Sequence, residues 1–65
     1  MSDKNHAALG RLPAIEREVL ALFYLRELTI EQIAEALGVP VGTVKSRLFR
    51  ARKLLRHALT MERPR

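Results

Sequence analysis

Gly38, Val39 and Pro40 separate two stretches of helical periodicity, and this short stop constrains the fold more than any other feature of the chain. A glycine after the last periodic residue suits the left-handed position that ends a helix. A proline two residues on prevents that helix from resuming. Upstream, Thr29 with Gln32 three residues later is a capping-box pattern that starts a helix. Ile30, Ile33, Ala34 and Leu37 line one face of it, while Glu31, Gln32 and Glu35 point away. Downstream, Val44, Leu48, Ala51, Leu55 and Ala58 fall within roughly 40° of one line at about 100° per residue, which predicts a helix from about Val41 to Leu59. Two helices joined by so tight a turn form a helix-turn-helix.

A further helix precedes this pair. Leu12-Pro13 opens it, with proline at the first position and Glu16 in the first turn, where the helix dipole favours a carboxylate. Ile15, Val19, Leu22 and Phe23 recur at three- and four-residue spacing and are expected to form its buried face. Val19 to Leu25 is nearly unbroken apolar sequence, so contact on more than one side is expected; Arg26-Glu27-Leu28 leaves the helix. Before it, Ser2 or Asp3 can cap a short run ended by Gly10, or the run is the frayed end of a longer helix. After Leu59, residues 60–65 contain Pro64 and no apolar period, and read as a fraying tail. The expected fold is all-α: a small three- to four-helix domain with a helix-turn-helix. Its divisions are an N-terminal segment or short helix over 1–11, the domain over 12–60 and a tail over 61–65.

Sixty-five residues support one small domain near the lower limit for folding on a core alone. Without cysteine there is no disulfide framework or thiolate zinc site, which fits a reducing cytoplasm. The longest apolar run is too short to span a membrane, and no membrane partner is expected. Charge is strongly polarised. Residues 1–42 carry four basic and six acidic side chains, net −2, and residues 43–65 carry eight basic side chains against Glu62 alone, net +7. One end of the domain therefore presents a positive field suited to a polyanion.

A helix entering a DNA major groove needs donors for base edges, cations for phosphates and an apolar contact for a thymine methyl. The third helix offers all three. Arg47 and Arg50 can make bidentate bonds to guanine, Ser46 can bond a base or a phosphate, and Phe49 can touch a methyl. Lys45 lies near the helix start, where it can read a base or hold a phosphate, while Arg52, Lys53 and Arg56 are placed to grip the backbone. Phe49 lies about 140° from the centre of the core stripe, although packing on the first helix or the N-terminal segment is the competing explanation. The helix has no acidic residue before Glu62 to neutralise its cations. Thr43 either donates to a phosphate or caps the helix. Gly42 in the first turn points either to a close approach, by the preceding helix or a phosphate, or to a tolerated small residue. His6 and His57 have no neighbouring nucleophile or carboxylate constellation, and the glycines are scattered, so neither an enzyme nor a cofactor or metal is expected.

These residues resemble a known family. Leu12-Pro13-Ala14-Ile15-Glu16-Arg17-Glu18-Val19-Leu20, Ile33 to Pro40, and the run from Gly42 through Arg52 are similar to region 4 of bacterial sigma factors, most of all the extracytoplasmic-function group. The resemblance covers residues 12–56. It implies a helical domain that binds the -35 element of double-stranded promoter DNA, through Lys45, Ser46, Arg47, Phe49 and Arg50 with Arg52 nearby. It also implies docking on the RNA polymerase β-flap, occlusion by an anti-sigma factor, and a bacterial cytoplasmic location. The apolar surface that would serve those proteins includes Leu22, Leu25 and Leu28. The sequence departs from many relatives at Pro40-Val41, where a Ser-Glu helix start is common, and this leaves open how the third helix is capped.

Region 2, with which such factors melt promoters, is not among these residues. The expectation is an excised domain or a reduced relative that does not initiate transcription alone. Its DNA binding is expected on the order of micromolar or weaker, falling with salt. Two alternatives remain at this stage. One is the output domain of a LuxR-type response regulator, which shares the Arg-Glu-Val-Leu and Thr-Val-Lys elements but usually adds a dimerisation helix. The other is a module used chiefly to bind an anti-sigma factor, with an incidental basic face.

Overall fold

A computed structural model describes residues 9–62, with side chains as far as residue 60. Ser2, Asp3 and His6 lie outside the described residues, as do 63–65; Leu9 and Gly10 are helical and lead into a turn at Arg11. Three helices follow: α1 over Ala14–Leu20, α2 over Ile30–Leu37 and α3 over Val41–Glu62. α1 continues into a wider π-helical segment, Ala21–Leu25. Packing of α3 against both α1 and α2 builds the domain.

Each boundary has a local cause. Pro13 stands one position earlier than its expected place inside α1: it is the N-cap residue, in extended geometry, and its carbonyl accepts the Arg17 amide at 2.9 Å. The capping box of α2 is complete. Gln32 N–H donates to Thr29 Oγ1 at 3.0 Å, and Thr29 N–H donates to Gln32 Oε1 at 2.8 Å. Gly38 closes α2 with φ 70°, the left-handed conformation expected of it. At the departure, Pro40-Val41, α3 starts on backbone bonds: the Pro40 carbonyl accepts the amides of Thr43 and Val44 at 3.0 and 3.2 Å.

The chain leaves the first helical segment at Arg26-Glu27-Leu28 as expected, but through a π-helical turn that its sequence did not signal. In the π segment Arg26 N–H reaches back to Ala21 O at 3.0 Å. Glu27 then takes φ 57°, and Leu28 N–H closes the turn on Leu22 O at 3.1 Å. A non-glycine residue thus occupies the left-handed region where glycine would be at ease.

Val19, Leu20, Ile33, Ala34, Val44, Leu48, Ala51 and Leu12 form the core, with Ala58 buried farther along α3. On α3 this is the expected stripe, with Leu55 half-buried at its margin. On α2, Ile33 and Ala34 are buried and Ile30 and Leu37 half-buried. The inward line of α1 keeps Val19, with Leu22 and Phe23 packed against the core as expected, and departs from expectation at Ile15. Ile15 is 51% exposed, and Glu16, at 8%, takes the inward place between Leu12 and Val19. A carboxylate can occupy that line because it meets a cation there. α3 also stays helical through Glu62, beyond its expected end near Leu59; Thr60 Oγ1 donates to the Arg56 carbonyl at 2.9 Å.

Candidate nucleic-acid interface

With the Val44–Leu48–Ala51 stripe against α1 and α2, the opposite side of α3 faces outward by helical geometry alone. Gly42, Lys45, Ser46, Phe49, Lys53 and Arg56 lie around the centre of that side and are exposed. Phe49 is 70% exposed, so packing on the first helix does not account for it. Thr43 and Arg47 are half-buried at the margin of the stripe, which places Arg47 farther from the centre of the outward side than its sequence reading implies. A Cβ built on Gly42 meets nothing within 4 Å. Its glycine identity therefore answers to no approach by the preceding helix, and its backbone lies open on the outward side.

Two arginines, one on each flank of the outward side, reach back to the first helical segment. Arg50 Nε lies 3.2 Å from Glu16 Oε2, with the Glu16 side chain 11% and the Arg50 side chain 70% exposed. On the other flank, Arg52 Nε donates to Tyr24 Oη at 2.8 Å. The Arg52 guanidinium also lies over the rings of Phe23 and Tyr24, 5.6 and 5.8 Å from their centroids, and those rings meet edge to face at 4.9 Å. This geometry permits cation–π attraction. Arg52 is thereby held against the end of α1, away from the centre of the outward face. Sequence reading missed both contacts. The absence of acidic residues in α3 before Glu62 is correct as sequence, but Glu16 supplies a partner from another helix. The only local signal was Glu16 itself, a carboxylate set four residues after Leu12 and three before Val19.

Beside Phe49 runs a shallow groove lined also by Arg50, Lys53, Leu54 and His57. Leu54 and His57 border a second depression reaching Arg11, Leu12 and Pro13. Of the expected protein-binding leucines, Leu25 is 70% exposed at the end of the π segment, and Leu22 and Leu28 are half-buried. Among the described residues no group of three or more histidine, cysteine, aspartate or glutamate side chains could hold a metal. No helix there is long and apolar enough to cross a membrane.

The family model described as Sigma-70, region 4 matches residues 4–55. The chain belongs to the sigma-70 region 4 family. This region 4 chain is 47% identical over 59 residues to the ECF RNA polymerase sigma factor SigW of Bacillus subtilis, covering 91% of this chain and 32% of that protein. It is 44% identical over 57 residues to the RNA polymerase sigma factor SigV of Bacillus subtilis, covering 88% of this chain and 34% of the relative. With the RNA polymerase sigma-H factor of Pseudomonas aeruginosa, it shares 43% identity over 54 residues, 83% of this chain and 28% of that one. The chain thus spans about a third of the length of these curated relatives. The family match favours region 4 over the LuxR-type alternative.

Proposed function

We propose that this domain recognises the -35 element of bacterial promoters by placing α3 in the major groove, and that it docks on RNA polymerase during initiation. The observation that carries the proposal is the outward side of α3. Phe49 stands exposed there among Lys45, Ser46, Lys53 and Arg56, on a helix whose opposite stripe is buried. Phosphate contacts by the lysines and Arg56 supply affinity without sequence information. Discrimination falls to Ser46, Phe49 and Arg50, with Lys45 at the helix start and Arg47 at the margin. Thr43 lies where the first turn would meet a phosphate. Arg52 contributes positive field while tied to Tyr24. The site of action is the bacterial cytoplasm, where the promoter lies.

The test is fluorescence anisotropy of the 65-residue chain on a duplex carrying a GGAAC-type -35 element and on a scrambled duplex, at two salt concentrations. Tighter binding to the first duplex, weakening with salt and lost in F49A and R50A, is the expected result. Equal binding to both duplexes would reduce the face to phosphate attraction.

A second reading concerns protein partners. Leu25, with Leu22 and Leu28 beside it, offers an apolar surface suited to the polymerase β-flap. The groove at Phe49, Leu54 and His57 overlaps the DNA-facing side, so an anti-sigma factor seated there would compete with promoter DNA. L25A should weaken flap binding and leave duplex binding intact, and a pull-down with the isolated flap measures the first effect.

A further inference from the structure

Glu16 is the one buried charged side chain among the described residues, and it belongs to α1, not to the helix that faces DNA. Its carboxylate sits in an otherwise apolar line between Leu12 and Val19. Burial on that line restricts the rotamers open to it, so Oε2 has a defined position. Arg50 makes the opposite contribution. Its side chain is 70% exposed and long, and without a partner its guanidinium would sample many orientations. The ion pair engages Arg50 through Nε at 3.2 Å. That leaves the edge formed by the two terminal amino groups, which is an edge that can bind guanine O6 and N7, or two phosphate oxygens, in bidentate fashion.

We propose that Glu16 is a positioning residue for promoter recognition, acting through Arg50. Resting on the DNA-reading function proposed above, it adds a residue of α1 to the determinants of sequence specificity. Glu16 holds Nε before DNA arrives, so Arg50 loses less rotational freedom when it binds. A pre-oriented fork also discriminates better than a freely rotating cation, which can slide onto the nearest phosphate of any sequence. Removing the acceptor should therefore act in two directions: binding to the specific duplex weakens, and binding to scrambled DNA strengthens because a negative charge has gone.

Two substitutions separate positioning from charge. Glu16→Leu and Glu16→Gln change the net charge equally, but only glutamine keeps an oxygen that can accept from Arg50 Nε. The measurement is the ratio of affinities for the -35 and scrambled duplexes, in each variant and in each combined with Arg50→Ala, with folding checked by circular dichroism. The expected result is a drop of about fivefold in the ratio for E16L, a part of the discrimination that one bidentate contact supplies. E16Q should keep most of the ratio, and the two variants should not differ in the R50A background. Equal ratios for E16L and wild type, equal losses for E16L and E16Q, or an E16L effect that persists in R50A would each overturn the proposal. The Arg50 Nε–H resonance in the free protein gives a readout independent of DNA. It should be protected from solvent exchange in wild type and E16Q and lose protection in E16L; the same exchange rate in all three would overturn the tether. If wild type shows no preference between duplexes, the DNA-reading function fails together with the specificity role, while the resonance still reports whether the tether exists.

Discussion

Two sets of cations share α3 and live under different physical rules. Arg50 and Arg52 are tied to α1 and its π extension, one through a carboxylate and the other through a phenol and two rings. Lys45, Lys53 and Arg56 stand outward and exposed. A tethered guanidinium has a direction, so it can distinguish one base edge from another. An untethered cation, whether the ammonium of Lys45 or Lys53 or the guanidinium of Arg56, can turn to meet phosphate regardless of sequence. On the proposed reading, Arg50 supplies specificity while the lysines and Arg56 supply affinity, a division that their spacing along α3 alone does not show.

The most damaging way to break this contrast is to remove the seam that both sets depend on. Leu48 is 1% exposed at the centre of the core. L48A should cost about 2–5 kcal/mol. In a domain this small that is most of the available stability, so thermal unfolding followed by circular dichroism should show loss of the folded state near room temperature.

Within a folded domain, R50A and K53A should diverge. R50A is expected to cost about 1–3 kcal/mol of discrimination between the specific and scrambled duplexes. K53A should weaken both duplexes alike and flatten the slope of log K against log salt by about 0.9. Titrations at several salt concentrations read both effects. A discrimination loss in K53A equal to that in R50A would erase the contrast.

Gly42 sharpens it from the DNA side. Its Cβ position is open, so G42A should stabilise the helix by about 0.5–1 kcal/mol in denaturant titration. If the groove lies against that backbone, the same change should weaken duplex binding, separating the DNA requirement from the folding requirement. The smallest effect is expected on the other flank: Y24F removes the Arg52 hydrogen bond and should lower stability by about 0.5 kcal/mol, leaving duplex discrimination as in wild type.

The parts of this molecule readable in advance are those whose cause lies within a turn or two of chain. Thr29 and Gln32 cap α2 because their spacing lets each satisfy the other's amide. Gly38 ends the helix because it alone nearby adopts a left-handed backbone without strain. The α3 stripe follows from its period. The expectations that failed depended on partners elsewhere. Ile15 was expected to be buried because it is apolar and correctly spaced, but in that first turn Glu16 takes the inward place and meets Arg50. The wider turn over Ala21–Leu25, closed at Glu27, has no glycine or proline to mark it.

The sequence by itself determined three helices, the tight stop between α2 and α3, the cationic outward side of α3 and the family resemblance, because periodicity, caps and charge are local properties. Only the tertiary structure decided how the arginines are divided. Arg52 finds Tyr24 at a separation of 28 residues, and Arg50 finds Glu16 from a different helix. Such pairings depend on how one helix is rotated against another, and that rotation is set by the packing of Val19, Leu20, Leu48 and Ala51 in the shared core.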